Sequence, residues 1–197
     1  PNNFTASVGS MASTSGAVVT VNANSSLTWT SGYIQLSEIK LEAKKDKTEV
    51  EYKSTDLPKL DLFNLSTAFG KVAIPDGTYE EVELKLEMKK STTSEAPLFL
   101  KGTYTEASGT RIPVELSLNE DFELEVEAKN VVVSGSTDYV ALLNVQLNTF
   151  LNNISAGDLG NTTRTNGVIV INSTTNAALY NKFKANIKAF GKCEFDH

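Results

Sequence analysis

Histidine and cysteine are almost missing from this chain: one of each in 197 residues, His197 and Cys193. That scarcity excludes much chemistry at once. A Ser-His-Asp or Cys-His nucleophile needs a base within its reach. A zinc site needs clustered Cys and His at set spacings. One cysteine closes no internal disulfide, so the count leaves the redox compartment open. Gly-rich phosphate loops and dinucleotide fingerprints are missing too. No run of about 18 apolar residues occurs, so the chain carries no transmembrane helix. Basic residues are outnumbered, 18 against 24 acidic, for a net charge of −6. A surface of that sign does not neutralise phosphates, which argues against broad nucleic-acid binding.

What is present suits a folded globular protein. Hydrophobic residues make up 40% and charged residues 21%, enough apolar surface for a core. The length allows one large or two small domains. The clearest local signal is Ile74-Pro75-Asp76-Gly77-Thr78-Tyr79. Proline presets one turn position, and glycine takes a backbone angle closed to other residues. Beyond it Val82, Leu84, Leu86 and Met88 alternate with Glu81, Glu83, Lys85, Glu87 and Lys89, the period of a strand with one dry and one wet face.

The rest of the chain reads as partners for that strand. Residues 1–15, small and polar, read as a flexible tether. Residues 16–21 are the first plausible strand. Across 33–45 the apolar positions change parity, from Ile34 and Leu36 to Ile39, Leu41 and Ala43, which predicts a β-bulge near Ser37-Glu38. Residues 56–65 read as a strand or helical turn plugging the core. Residues 98–105 and 111–118 form a hairpin with Gly109 near its tip. Asn119-Glu120-Asp121 turns the chain into Phe122, Leu124 and Val126, alternating with glutamates. Residues 152–167 are a long polar loop and 168–171 a buried-type strand. Leu179, Phe183, Ile187 and Phe190 then share one side of a helix over about 176–190, with Gly191 as its stop. Many short strands with turn chemistry between them predict a mainly β, antiparallel β-sandwich with one C-terminal α-helix. Residues 16–197 form a single domain, the alternative being two small sandwiches split near 90–96.

Candidate chemical groups each have a plainer account. Glu81, Glu83, Glu87, Glu123, Glu125 and Glu127 could supply paired carboxylates, but they occupy the wet parity of amphipathic strands. Asn119, Glu120, Asp121 and Glu123 could ligate calcium; a charged turn explains them as well. Lys182, Lys184, Lys188 and Lys192 make a basic helix that suits a membrane surface or an acidic partner, or that solubilises its outer face, or packs near the acidic strand 115–127. Trp29, Tyr33, Tyr52, Tyr79, Tyr104 and Tyr139 could stack against sugars, or serve as core and cross-strand partners. Asn64 and Asn161 head glycosylation sequons that a chain this rich in Asn, Ser and Thr yields by chance. Cys193 and His197 read as incidental residues of a C-terminal tail. The chain opens at Pro1 and reads as a mature or trimmed product. No catalytic, cofactor-binding or metal-ligating residue is assigned, and no enzyme activity or cofactor is expected.

The order Trp29, then Asp56-Leu57 and Leu60-Asp61-Leu62, then Ile74-Pro75-Asp76-Gly77-Thr78-Tyr79-Glu80-Glu81-Val82-Glu83-Leu84 resembles the DUF4382-type domains of Bacteroidetes lipoproteins. The likeness covers residues 16–90 and extends more weakly through 113–126. It implies an Ig-like or transthyretin-like sandwich, exported and held at the outer membrane by an N-terminal lipidated cysteine upstream of Pro1, facing the surface or the periplasm. The resemblance implies no catalytic residues. The function expected is a non-enzymatic cell-surface domain with a binding, adhesive or structural role toward an unknown protein or glycan. Two alternatives are a fimbrial or pilus-type assembly subunit that exchanges strands through an edge such as 16–21, and a glycan-binding accessory protein.

Overall fold

The structure is a computed structural model that describes the chain apart from residues 1, 10–16, 23–24, 65–67, 135–138, 146, 188–190 and 197, with side chains described over 25–64, 73–134 and 147–187. Its strands in chain order begin with β1 (Asn2–Gly9), β2 (Ala17–Asn22), β3 (Ser25–Ile34), β4 (Glu38–Lys45) and β5 (Thr48–Ser54). They continue with β6 (Leu60–Asp61), β7 (Ala68–Ile74), β8 (Gly77–Met88), β9 (Leu98–Thr105) and β10 (Arg111–Leu118). The last are β11 (Phe122–Val133), β12 (Tyr139–Val145), β13 (Arg164–Thr165), β14 (Val168–Ile171) and β15 (Gly191–Asp196). A 3-10 turn lies at Thr149–Leu151, and the helices are α1 (Ala156–Gly160) and α2 (Ala177–Ala185).

The strands form three hydrogen-bonded sheets. A seven-stranded sheet runs β13-β14-β10-β9-β3-β2, with β6 beside β3. A four-stranded sheet runs β11-β8-β4-β5, and another runs β15-β12-β1-β7. β15 lies beside β11 and β7 approaches β5. Pairing is antiparallel except at β1–β12 and β10–β14 among the described strands. The fold is therefore a mainly β, antiparallel sandwich with a helix near its C-terminus. One buried cluster runs from Leu27 to Ile187.

Apolar rungs build the dry face of the seven-stranded sheet. Register aligns Leu27 with Tyr104 and Ile112, Trp29 with Gly102, Val114 and Ile169, and Ile34 with Leu98 and Leu118. All but Gly102, which has no side chain, are large and all are buried. The Trp29 rung accommodates an indole because Gly102 leaves its place empty. α2 then covers the indole: the Phe183 ring meets Trp29 edge-on, centroids 6.2 Å apart, and Phe150 lies 5.3 Å from Phe183. Among the described residues the buried Trp29 Nε1 donor finds no acceptor.

The Pro75-Asp76-Gly77-Thr78-Tyr79 segment closes as a tyrosine corner, a device that pins the chain entering a sandwich strand. Tyr79 is 2% exposed, and its hydroxyl donates to the Pro75 carbonyl at 2.8 Å. Gly77 has φ +153°, and a side chain there would run into Lys45, which crosses the turn. Along β8 the buried positions then change parity, from Tyr79 to Val82, Leu84, Leu86 and Met88; opposite, Asn130 of β11 takes a left-handed φ of 56°.

Three expectations are corrected. The parity change across 33–45 is not a bulge near Ser37-Glu38: β3 ends at Ile34, the chain crosses between layers through residues 35–37, and β4 starts at Glu38 in the other sheet. A bulge does exist earlier, where Thr30 is extra between the Trp29–Gly102 and Ser31–Lys101 pairs. The 1–15 stretch is no simple tether, since Asn2–Gly9 is β1, paired to β12 and β7; polar composition does not prevent backbone pairing. The predicted C-terminal tail with Cys193 is likewise β15, paired with β12; α2 runs to Ala185, Ile187 is again helical, and 188–190 of the expected helix lie outside the described residues.

These contacts set the stability of three variants. A Cβ at residue 102 would sit 2.5 Å from the Thr28 carbonyl oxygen and 2.9 Å from Trp29 Cε3. Gly102→Ala forces β3 and β9 apart and lowers the unfolding free energy by about 2 kcal/mol. Gly160→Ala, which meets nothing within 4 Å, is neutral or stabilises by up to about 1 kcal/mol. Urea denaturation of both variants checks the contrast. Tyr79→Phe, which removes only the corner hydrogen bond, costs about 1 kcal/mol by the same measurement, with the exposed Pro75 carbonyl turning to water.

Candidate functional site

The wet face of the β11-β8-β4-β5 sheet is the most distinctive surface of the molecule. Strand alternation points Ile39, Leu41, Ala43, Val82, Leu84, Leu86, Phe122 and Leu124 inward, so the residues between them point out. Over four successive rungs, from Glu123 to Lys129 on β11 and from Glu81 to Glu87 on β8, every outward position is Glu or Lys. Register arranges them in rungs across the sheet. One rung is Glu123, Glu87 and Glu38; the next is Glu125, Lys85, Lys40 and Lys53. The third is Glu127, Glu83, Glu42 and Glu51, four carboxylates side by side. The fourth is Lys129, Glu81, Lys44 and Glu49. Ten glutamates and five lysines give this face −5 of the chain's −6.

Like charges facing across a ladder are unfavourable, and the compensation runs mainly along the strands. Lys85 meets Glu83 at 2.8 Å, Lys129 meets Glu127 at 2.9 Å and Lys53 meets Glu51 at 3.2 Å, each two residues away; Lys40 pairs with Glu42 in the same way. Lys44 reaches across to Glu81 at 3.0 Å. Glu83, at the centre, is only 8% exposed because its neighbours' long side chains lie over it. Its carboxylate holds Glu125 above the ordinary 4.5 by hydrogen bonding, with burial and the Glu83 charge adding to the effect. The Lys40 hydrogen bond holds Glu42 below that value. The carboxylates of Glu42, Glu49 and Glu51 lie within 4.8 Å of one another, with two of the three ion-paired to lysine.

The other candidate residues are dispersed. Asn119 clamps Ser91 at two points, accepting from its N–H at 2.7 Å and donating to its carbonyl at 3.0 Å. Asp121 accepts from the Lys90 N–H at 2.6 Å. Glu120 receives the Tyr180 hydroxyl at 2.8 Å and Lys184 at 3.1 Å, which pins α2 to the β10–β11 turn. Those contacts lower the Glu120 carboxyl, Tyr180 first, while burial and the bond to Glu120 raise the Tyr180 hydroxyl. Lys182 meets Asp158 at 2.7 Å, so Lys182 and Lys184 both bind acids of their own molecule. Lys188 and His197 lie outside the described residues, as do the side chains of Lys192 and Cys193.

Of the two readings of the aromatic residues, placement in the core holds for most of those described. Trp29, Tyr79 and Tyr104 are sealed in the core at 0%, 2% and 3% exposure, and half-buried Tyr52 packs against it. The Tyr139 side chain lies outside the described residues. Tyr33 borders a hollow of about 160 Å³ with Gln35, Lys59, Ser91, Thr93 and Glu95. Lys59 Nζ stands 4.3 Å over its ring and Phe99 stacks 5.7 Å away. A wider cleft of about 530 Å³ lies between α1 and the start of α2. Sequence reasoning missed both hollows and the glutamate rung. Alternation marks which residues face water, whereas their alignment across strands depends on partners far apart in sequence.

Comparison with family models, with curated proteins and with solved structures finds no match for this chain.

The two directions of carboxyl shift act at different pH. A raised folded value, as at Glu125, contributes stability below the unfolded value and loses it as pH rises through the folded one. The lowered values at Glu42, Glu120 and Asp158 contribute above the unfolded value and are lost as pH falls through the folded one. Glu125→Gln is therefore more stable than the parent near pH 7, and the two converge below about pH 4. Chemical denaturation across that range reads the difference; a variant less stable near neutrality contradicts the assignment.

Proposed function

We propose that this chain is a non-enzymatic domain of an exported lipoprotein, held at the outer membrane and serving a binding or structural role at the cell surface. The observation that carries the non-enzymatic part is the treatment of the acids. The glutamates that alternation concentrates on one sheet lie over an open face and are compensated by lysines two residues away. A pair of carboxylates for acid–base chemistry needs the opposite: convergence on a substrate-sized pocket in environments that push the two apart. A broad lattice of compensated charge is a surface for solvation and for contact with another macromolecule, with a long-range field that favours cationic partners.

The lipoprotein part draws on the likeness of Ile74-Pro75-Asp76-Gly77-Thr78-Tyr79 and the strand after it to DUF4382-type domains. The tyrosine corner gives that motif a physical role in the sandwich. Export and anchoring are tested by expressing the gene with its native upstream sequence in the source cells and feeding an alkyne-tagged palmitate. The expected result is a lipid-labelled product in the outer-membrane fraction, cleaved by protease added to intact cells. An unlabelled product recovered from the cytosol would overturn the proposal.

A further inference from the structure

Open strand edges are templates for another strand, and proteins blunt them with charge, proline, shortness or cover. The six ends of the three sheets differ in how far this is done. β15 and β11 lie beside each other, as do β7 and β5, and β5 also carries Glu49, Glu51 and Lys53. β13 is two residues long and bears Arg164, ion-paired to Glu106 at 2.8 Å. β2 remains. It is six residues, Ala-Val-Val-Thr-Val-Asn, with no charge and no proline, and no described strand pairs with the edge it turns away from β3. Four of its residues, Val18, Val19, Thr20 and Val21, are β-branched, the composition that favours strand pairing.

The geometry points to a second copy of this chain as the occupant: two β2 edges join antiparallel about a two-fold axis and continue the seven-stranded sheet across it. An isologous contact places a strand opposite itself, so any charge it carried would face its own copy; β2 carries none. The field of the molecule also permits the approach. The acidic face with its net −5 belongs to the other layer of the sandwich. The rungs of the seven-stranded sheet nearest β2, Thr28-Thr103-Pro113 and Ser26-Thr105-Arg111, hold one charge between them. The inference rests on strand edges and charge alone and is independent of whether the chain is exported.

A six-residue edge spans about 20 Å, a small contact, so the dimer is weak, with a dissociation constant of about 10–1000 µM. Sedimentation velocity on the full chain from about 1 µM to about 1 mM reads the mass. Hydrogen exchange at both ends of that range reads the backbone. The expected result is a monomer that becomes a dimer, with exchange slowed at high concentration within residues 17–22. Val18 and Thr20 are in register with Thr28 and Ser26, and the double variant Val18→Lys, Thr20→Lys places like charges opposite one another across the axis. It raises the dissociation constant at least roughly tenfold. A chain that stays monomeric at the highest concentration with exchange in β2 unchanged overturns the inference, and so does a dimer that persists in the double variant. The exchange experiment on the parent chain decides the matter even if the variant fails to fold.

Discussion

Much of this fold depends on one contact, an indole laid across a residue with no side chain. Trp29 of β3 faces Gly102 of β9, and the largest side chain in the molecule fits the sheet because its cross-strand neighbour is the smallest. The ring then becomes the floor on which α2 settles through Phe183, with Phe150 of the 3-10 turn completing an aromatic group that is fully buried. A strand pair, a helix and a turn far apart in sequence thus share one packing problem. An indole N–H with no partner among the described residues is the penalty of that solution; a donor in an apolar site is tolerated when the ring around it supplies more by packing than the donor loses by desolvation.

The charged sheet shows a second constraint, set by register. Four strands that each alternate apolar with Glu or Lys must bring like charges together somewhere, and the Glu127-Glu83-Glu42-Glu51 rung is where they meet. The lysines are offset by two residues, so repulsion across the sheet is offset by attraction along each strand. Individually such exposed pairs contribute little. Their arrangement matters more for what the face becomes: acidic as a whole and locally compensated.

Elements whose signal is local were legible in the chain. The alternation after Gly77, the hairpin around Gly109, the turn at Asn119 and the face of α2 containing Leu179 and Phe183 all depend on neighbours a few residues apart. The parity change near Ile34 was visible too, but its cause was not: a bulge and a crossing between sheets both reverse which residues point inward, and only the partner strands distinguish them. The polar composition of residues 2–9 suggested a tether because pairing of a backbone leaves no trace in side-chain type. The glutamate rung was hidden for the same reason, since Glu42 and Glu127 are brought into line only by β8 between them.

The sheets consequently face different demands. The β11-β8-β4-β5 sheet keeps nearly all of the net charge, on strands whose edges lie beside other strands or bear their own glutamates. The seven-stranded layer ends in β2, where neither charge nor proline interrupts the edge. Uniform charging would have protected every edge and left no preferred place for contact. Concentrating the charge on one layer keeps the molecule soluble through that layer and leaves an uncharged edge on the other. The same alternation that builds the strands therefore also sets an asymmetry of charge, and that asymmetry decides where another strand can approach.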